Sequence, residues 1–161
     1  VAVLDLESYV ASYVGKNITQ ICQNYTKQNA NHCAHFVCHV LGLSFDRTCQ
    51  IEGGDHGSPA ANIRVQELFP KCPEVGMWDK RPPALNTCLI FVTMKNEPID
   101  FVRKIYPNVG NKHVGIFING FIYHYSNDLG KQVMKQTMPQ FEAHMITHYK
   151  AIQKAYGRFP I

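Results

Sequence analysis

The sequence lacks any long apolar run. Near the middle of the chain the longest clean one is Cys88-Leu89-Ile90-Phe91-Val92, far short of a membrane-spanning helix. It has no low-complexity tract and no coiled-coil or solenoid period, which excludes fibrous and repeat architectures. It has no Cys-x-x-Cys pair, which argues against a zinc ribbon or a thioredoxin-like redox site. It has no basic block either. Sixteen Lys and Arg against twelve Asp and Glu leave a net charge of +4, scattered singly, so no nucleic-acid-binding arm is expected. The opening Val-Ala-Val-Leu-Asp-Leu-Glu shows no signal peptide; a removed leader, a trimmed end or another export route would each account for that.

What remains is 161 residues, 45% hydrophobic and 11% aromatic, enough to bury a real core. We expect one domain spanning residues 1–161. Six cysteines (Cys22, Cys33, Cys38, Cys49, Cys72, Cys88) exceed ordinary cytosolic usage. If one is a free nucleophile, five remain and at least one more is unpaired. Cys49 and Cys72 bracket a loop-like stretch and are the expected bridge.

The first half reads helical. Leu6, Tyr9, Val10, Tyr13 and Val14 recur at helix spacing behind Asp5 as cap, and Gly15 ends the segment. Asn17 is placed to cap a second helix carrying Ile18, Cys22 and Tyr25. A third, capped by Asn31, runs from Cys33 to Leu41 and stops at Gly42. Residues 44–86 are rich in Gly and Pro and read as a long irregular connection with one helix near 61–68. Strands follow at 87–94, 113–118, 121–126 and 132–136. Asn119-Gly120 between apolar runs marks a tight hairpin. Pro139 then opens a short helix with Phe141, Met145 and Tyr149. Helices first and an antiparallel sheet second is an α+β pattern.

The chemistry concentrates on Cys33, His113 and His124. In the first helical turn, unpaired N–H groups and the helix dipole favour an anion, which suits a thiolate nucleophile. At about 100° per residue, Cys33 shares a helix face with Phe36, Val37 and Val40, while His35 and His39 lie roughly opposite. The sheet is expected to pack against the Cys33 face. A two-residue turn sets Ile118 opposite Phe121, which puts His113, Gly115, Phe117, Ile122, His124 and Ser126 on one face of the hairpin. His113 and His124 then become diagonal neighbours, one able to act as base and the other to orient it.

These motifs resemble the NlpC-like cell-wall peptidases. Asn31-His32-Cys33-Ala34-His35-Phe36-Val37 followed by Leu41-Gly42-Leu43 is similar to their nucleophile helix, which typically reads Asp-Cys-Ser-Gly-Phe-Val before a Leu-Gly pair. His113-Val114-Gly115-Ile116-Phe117 and the later Ile122-Tyr123-His124 resemble their His-Val-Gly-Ile-Tyr strand and following Ile-His. Residues 87–92 resemble their Gly-Asp-Leu-Val-Phe-Phe strand. The histidine lies 80 residues after the cysteine and the third polar residue 11 beyond it. His32, Ala34, His35 and Cys88 depart from the family pattern, which bears on substrate selection. The resemblance implies a papain-like domain with N-terminal helices packed on an antiparallel sheet. It implies Cys33 as nucleophile, His113 as base, His124 as orienting residue, and no cofactor or metal. The implied activity is cleavage of amide bonds in peptidoglycan stem peptides, on the secreted or periplasmic side of the cell. Single-domain members include amidase toxins delivered by type VI secretion, for which an immunity or inhibitor protein is the implied partner.

Three rivals accompany that reading. Asn-Cys-Glu-His-Phe-Val of the lecithin:retinol-acyltransferase-like group is close to residues 32–37 and implies acyl transfer or lipid hydrolysis. In that group, though, the histidine strand precedes the cysteine. A metal site is the second: His32, Cys33, His35, Cys38 and His39 are dense in ligand types, and His35 and His39 at i, i+4 suit zinc. Cys33 faces away from that pair, so the whole set cannot converge on one ion. The third is a non-catalytic binding or inhibitor module on the same fold.

Overall fold

The computed structural model describes residues 3–161. Residues 1–2, part of the stretch read above for a leader, lie outside the described residues. Six strands form one antiparallel sheet: β1 (Val75–Met77), β2 (Thr87–Met94), β3 (Lys112–Ile118), β4 (Phe121–Ser126), β5 (Gln132–Thr137) and β6 (Ile152–Gly157). Their order across the sheet is β1-β6-β2-β3-β4-β5. The helices are α1 (Val3–Ala11), α2 (Cys33–Leu41), α3 (Cys49–Gly53), α4 (Val65–Leu68) and α5 (Met138–Tyr149). This is the expected α+β class with an antiparallel sheet.

The hairpin forms in the register that its turn dictates, with Ile118 opposite Phe121 and Phe117 opposite Ile122. Asn119 and Gly120 both take positive φ, 49° and 92°, as a two-residue hairpin turn requires. Alternation then gives the sheet two apolar faces. Val114, Ile116, Ile118, Tyr123 and Tyr125 meet α2, with its Phe36 and Val37. Cys88, Ile90, Val92, Phe117 and Ile122 meet Phe141 and Met145 of α5. Covered on both faces, β2, β3 and β4 are buried along nearly their whole length rather than alternating buried and exposed.

Several local expectations are corrected. Asp5 lies inside α1 and is not its cap. The second helix shrinks to one 3-10 turn, Ile18–Gln20. Asn17 does cap it, and beyond that turn the Asn24 side chain makes tertiary hydrogen bonds with Ser58 and His56. The helix expected near 61–68 is only α4, because Asn62 pairs in a β-bridge with Thr48. α3, β1 and β6 were not foreseen. The expected Cys49–Cys72 bridge does not form: all six cysteines are free thiols. The two sit in different places, Cys49 near His39 and Cys72 near Gly157 beneath the sheet.

Candidate active site

α2 is the buried axis of the structure: every side chain from Cys33 to Cys38 is buried. Gly42, at φ 68°, closes it in the left-handed conformation, its N–H reaching the carbonyls of Cys38 and His39. At the other end the capping residue is His32, yet the cap bond comes from Asn31, whose Oδ1 accepts the Cys33 N–H at 3.0 Å. The segment before α2 is tied to the end of β4: Asn127 Oδ1 accepts from His32 N at 3.2 Å, and its Nδ2 donates to the Ala30 carbonyl.

Cys33 therefore stands where the sequence placed it, in the first turn, but its environment is not that of a thiolate. Burial dominates and pushes its thiol up to about 11, despite the amides of Val114 and Ala34, the Asn31 side chain and the Lys112 ammonium, which all favour the anion. It borders a cavity of about 320 Å³ with Arg64, Gln66, Asn108, Lys112 and Asn31.

His113 and His124 share a sheet face, as alternation requires, and they touch: His113 Nε2 lies 2.9 Å from His124 Nδ1. Gln136, diagonal to His124 on β5, completes the line, with His124 Nε2 at 2.6 Å from its Oε1. An amide oxygen only accepts, so His124 carries its proton on Nε2 and presents a bare Nδ1. His113 must then donate through Nε2, which leaves the lone pair on its Nδ1. Phe141 packs against both rings, with centroids at 6.1 and 4.9 Å. Burial, with the neighbouring imidazoles adding to it, holds His113 well below the ordinary histidine range. Burial likewise brings His124 down to about 4, against the opposing Gln136 bond. Both rings are neutral at pH 7.

One expectation is corrected here. The histidine face meets α5, whereas α2 covers the opposite face, and no hydrogen bond joins Cys33 to His113. They are linked only through neighbours: Val114, next to His113 on β3, reaches the thiol, and Asn31 lines the cavities of both. The β3–β4 register holds from Ile116–Tyr123 to Ile118–Phe121, at the turn end of the hairpin. Near the other end, the Val114 amide favours the Cys33 thiolate. His113 borders a cavity of about 370 Å³ with Asn29, Asn111, Asp128, Tyr149 and, again, Asn31. Asn31 thus separates the thiol's cavity from the imidazole's and belongs to both.

Two further groups were missed. At the mouth of the larger cavity Asp128 pairs with His144 at 3.3 Å and with His148. Burial works against its charge, but the Ser126 hydroxyl and the adjacent imidazoles hold its carboxyl below the ordinary range. Behind α2, the ligand atoms of Cys22, His35, His39 and Cys49 all lie within 4.8 Å of one another. The i, i+4 pair His35 and His39 was visible in the sequence; its partners are Cys22 and Cys49 rather than Cys33 and Cys38. Among the described residues no helix is long and apolar enough to cross a membrane. Compared with protein-family models, with curated proteins and with solved structures, the chain matches none.

Proposed function

We propose that the protein is a cysteine hydrolase that cleaves amide bonds in peptidoglycan stem peptides. The observation that carries the reading is the Gln136–His124–His113 line, which fixes one tautomer and leaves an unprotonated Nδ1 on a residue lining a cleft. The nucleophile is Cys33, across Asn31 from that base. Because thiol and imidazole are both neutral at rest, the pair works by general-base catalysis rather than as a standing ion pair. As the Cys33 sulfur bonds to the carbonyl carbon, its proton passes to His113. The imidazolium then protonates the leaving amine as the C–N bond breaks. Water, giving a proton back to His113, hydrolyses the thioester and regenerates the thiol.

In this mechanism the Cys33 N–H is a natural donor to the oxyanion; in the resting site it is taken by Asn31, so the Asn31 side chain must turn aside when substrate enters. Lining chemistry favours a polar, anionic peptide. Arg64, Gln66, Asn108 and Lys112 surround the thiol's cavity, with only Ile63 and Val65 apolar, which suits carboxylate-bearing stem peptides better than an acyl chain. An antibacterial toxin held in check by an inhibitor protein, acting on the wall side of the membrane, is the narrower form of the same reading.

The test is digestion of purified muropeptides by the wild type, Cys33→Ala and His113→Ala, with products read by mass. The wild type is expected to release amide-cleaved fragments and both variants to release none. Undiminished products from Cys33→Ala would overturn the reading. So would acyl transfer from a short-chain phospholipid by a wild type that leaves muropeptides intact.

A further inference from the structure

We propose that Cys22, His35, His39 and Cys49 form a structural zinc site that clamps α2 to the segments before and after it. This stands independently of the catalytic reading. Two thiols and two imidazoles are a ligand set that zinc takes tetrahedrally. Zn–S bonds of about 2.3 Å and Zn–N bonds of about 2.0 Å set tetrahedral sulfur and nitrogen roughly 3.5 Å apart. His39 Nε2 lies 3.8 Å from Cys49 Sγ, and no pair in the set exceeds 4.8 Å. Cys22, His35 and Cys49 are at most 1% exposed, so the site is closed, as structural zinc sites are.

A second observation points to a ligand. His35 is completely buried, and its Nε2 has no hydrogen-bond partner. Its tautomer is set from behind. His32 Nε2 donates to the Lys27 carbonyl at 2.7 Å, so His32 Nδ1 is an acceptor, and His35 Nδ1 donates to it at 2.9 Å. His35 Nε2 is therefore a bare lone pair directed among the thiols. A buried lone pair of this kind is costly unless something accepts it. Metal-ligating histidines are held in place through their other ring N–H, the position that His32 occupies here for His35.

The sulfurs are likewise surrounded by donors suited to thiolates. Asn24 N–H reaches Cys22 Sγ at 3.3 Å, Ala61 N–H reaches Cys49 Sγ at 3.3 Å, and Asn24 Nδ2 lies 3.5 Å from Cys49 Sγ. Gly53 holds the two cysteine segments close, since a Cβ there would sit 1.8 Å from the Asn24 carbonyl oxygen. A Cys22–Cys49 disulfide would account for the two sulfurs, but it would leave His35 Nε2 unpaired and His39 without a role. On binding Zn²⁺ the two thiols give their protons to solvent, and nothing is oxidised or reduced.

The test uses the full chain purified under reducing conditions. Elemental analysis is expected to find about one zinc per chain that survives gel filtration. After zinc is stripped, titration with Co²⁺ alone should raise tetrahedral d–d bands and a thiolate-to-cobalt charge-transfer band, saturating near one equivalent. His39 is only half-buried, so His39→Asn should keep its fold by circular dichroism while binding Co²⁺ at least tenfold more weakly. Cys22→Ser and Cys49→Ser should each lose most of the charge-transfer band. His56→Gln, an exposed histidine outside the set, should change nothing. The proposal is overturned if folded, reduced wild-type protein takes up neither zinc nor Co²⁺ stoichiometrically. It is equally overturned if His39→Asn binds like wild type, or if Cys22 and Cys49 remain joined by a disulfide after that reducing purification.

Discussion

His113 Nε2 and His124 Nδ1 lie 2.9 Å apart in the water-poor layer between the sheet and α5. With Gln136 beyond, proton positions along the line follow from one another, and one end is left with a free lone pair. The same logic runs through Lys27, His32 and His35 behind α2. Each line starts at an amide carbonyl oxygen and ends on an imidazole lone pair. One lone pair borders a cleft; the other lies among thiols.

Removing the anchor should separate positioning from binding. In Gln136→Leu the buried His124 Nε2–H loses its acceptor, which costs about 1–3 kcal/mol. His124 is then free to take the other tautomer, which turns the His113 lone pair inward. The expected outcome is a large fall in kcat with little change in KM, and Gln136→Glu, which restores an acceptor, recovers part of it. Muropeptide hydrolysis and urea midpoints on the three proteins check this; a KM effect alone would argue against a positioning role.

The histidine pair also sets an acid limit on stability. An unfolded histidine titrates near pH 6.5, whereas His124 in the fold is held at about 4 and His113 well below the ordinary value. Between those values the unfolded chain binds protons that the folded chain refuses, so acid favours unfolding. The contribution is complete above about pH 6.5 and drains as pH falls towards 4, amounting to about 3 kcal/mol for His124. Urea midpoints across this range should fall steeply in the wild type and less steeply in His124→Gln. The difference between the two slopes isolates His124 from the other buried imidazoles.

Gly115 makes room for the pair. A Cβ on it would meet Ile122 Cγ2 at 3.0 Å, His124 Cβ at 3.1 Å and the Tyr123 carbonyl oxygen at 3.2 Å. The last is backbone inside the sheet and cannot step aside cheaply. Gly115→Ala should therefore cost about 1–3 kcal/mol as an overpacked core substitution. Its larger effect should fall on catalysis, since the yielding neighbour is His124. A variant as stable and as active as the wild type would mean that the hairpin relaxes freely at this point.

Local pattern made some of this legible and withheld the rest for identifiable reasons. The β3–β4 hairpin, α2 and the pairing of His113 with His124 all rest on short-range geometry, a two-residue turn and alternation. Which helix covers which face does not. Alternation groups Val114, Ile116 and Ile118 against His113 and Phe117, but both sets are apolar enough to be buried, and only the tertiary packing assigns α2 to one and α5 to the other. β6 reads Ile-Gln-Lys-Ala-Tyr-Gly, a weak strand signal, because its stability comes from insertion between β1 and β2 rather than from its own pattern. Cys22 and Cys49 converge on His35 and His39 from separate segments, with none of the close spacing by which metal ligands are recognised in a sequence.

Asn31 offers the sharpest division between stability and activity. Its Oδ1 caps α2 by accepting the Cys33 N–H at 3.0 Å, the same N–H that an oxyanion would need. Asn31→Ala removes the cap and should cost about 1 kcal/mol, while leaving that N–H free, so turnover should be maintained or increased. Asn31→Asp should do the opposite. A carboxylate at the start of α2 accepts the N–H more strongly and suits the helix dipole, so stability should hold or rise. It also competes with the oxyanion for the donor and sets a negative charge beside the reacting sulfur, so turnover should fall by about tenfold or more. Thermal unfolding and muropeptide hydrolysis measured side by side decide the matter: both variants moving stability and turnover in the same direction would remove Asn31 from the oxyanion argument and leave it a helix cap only.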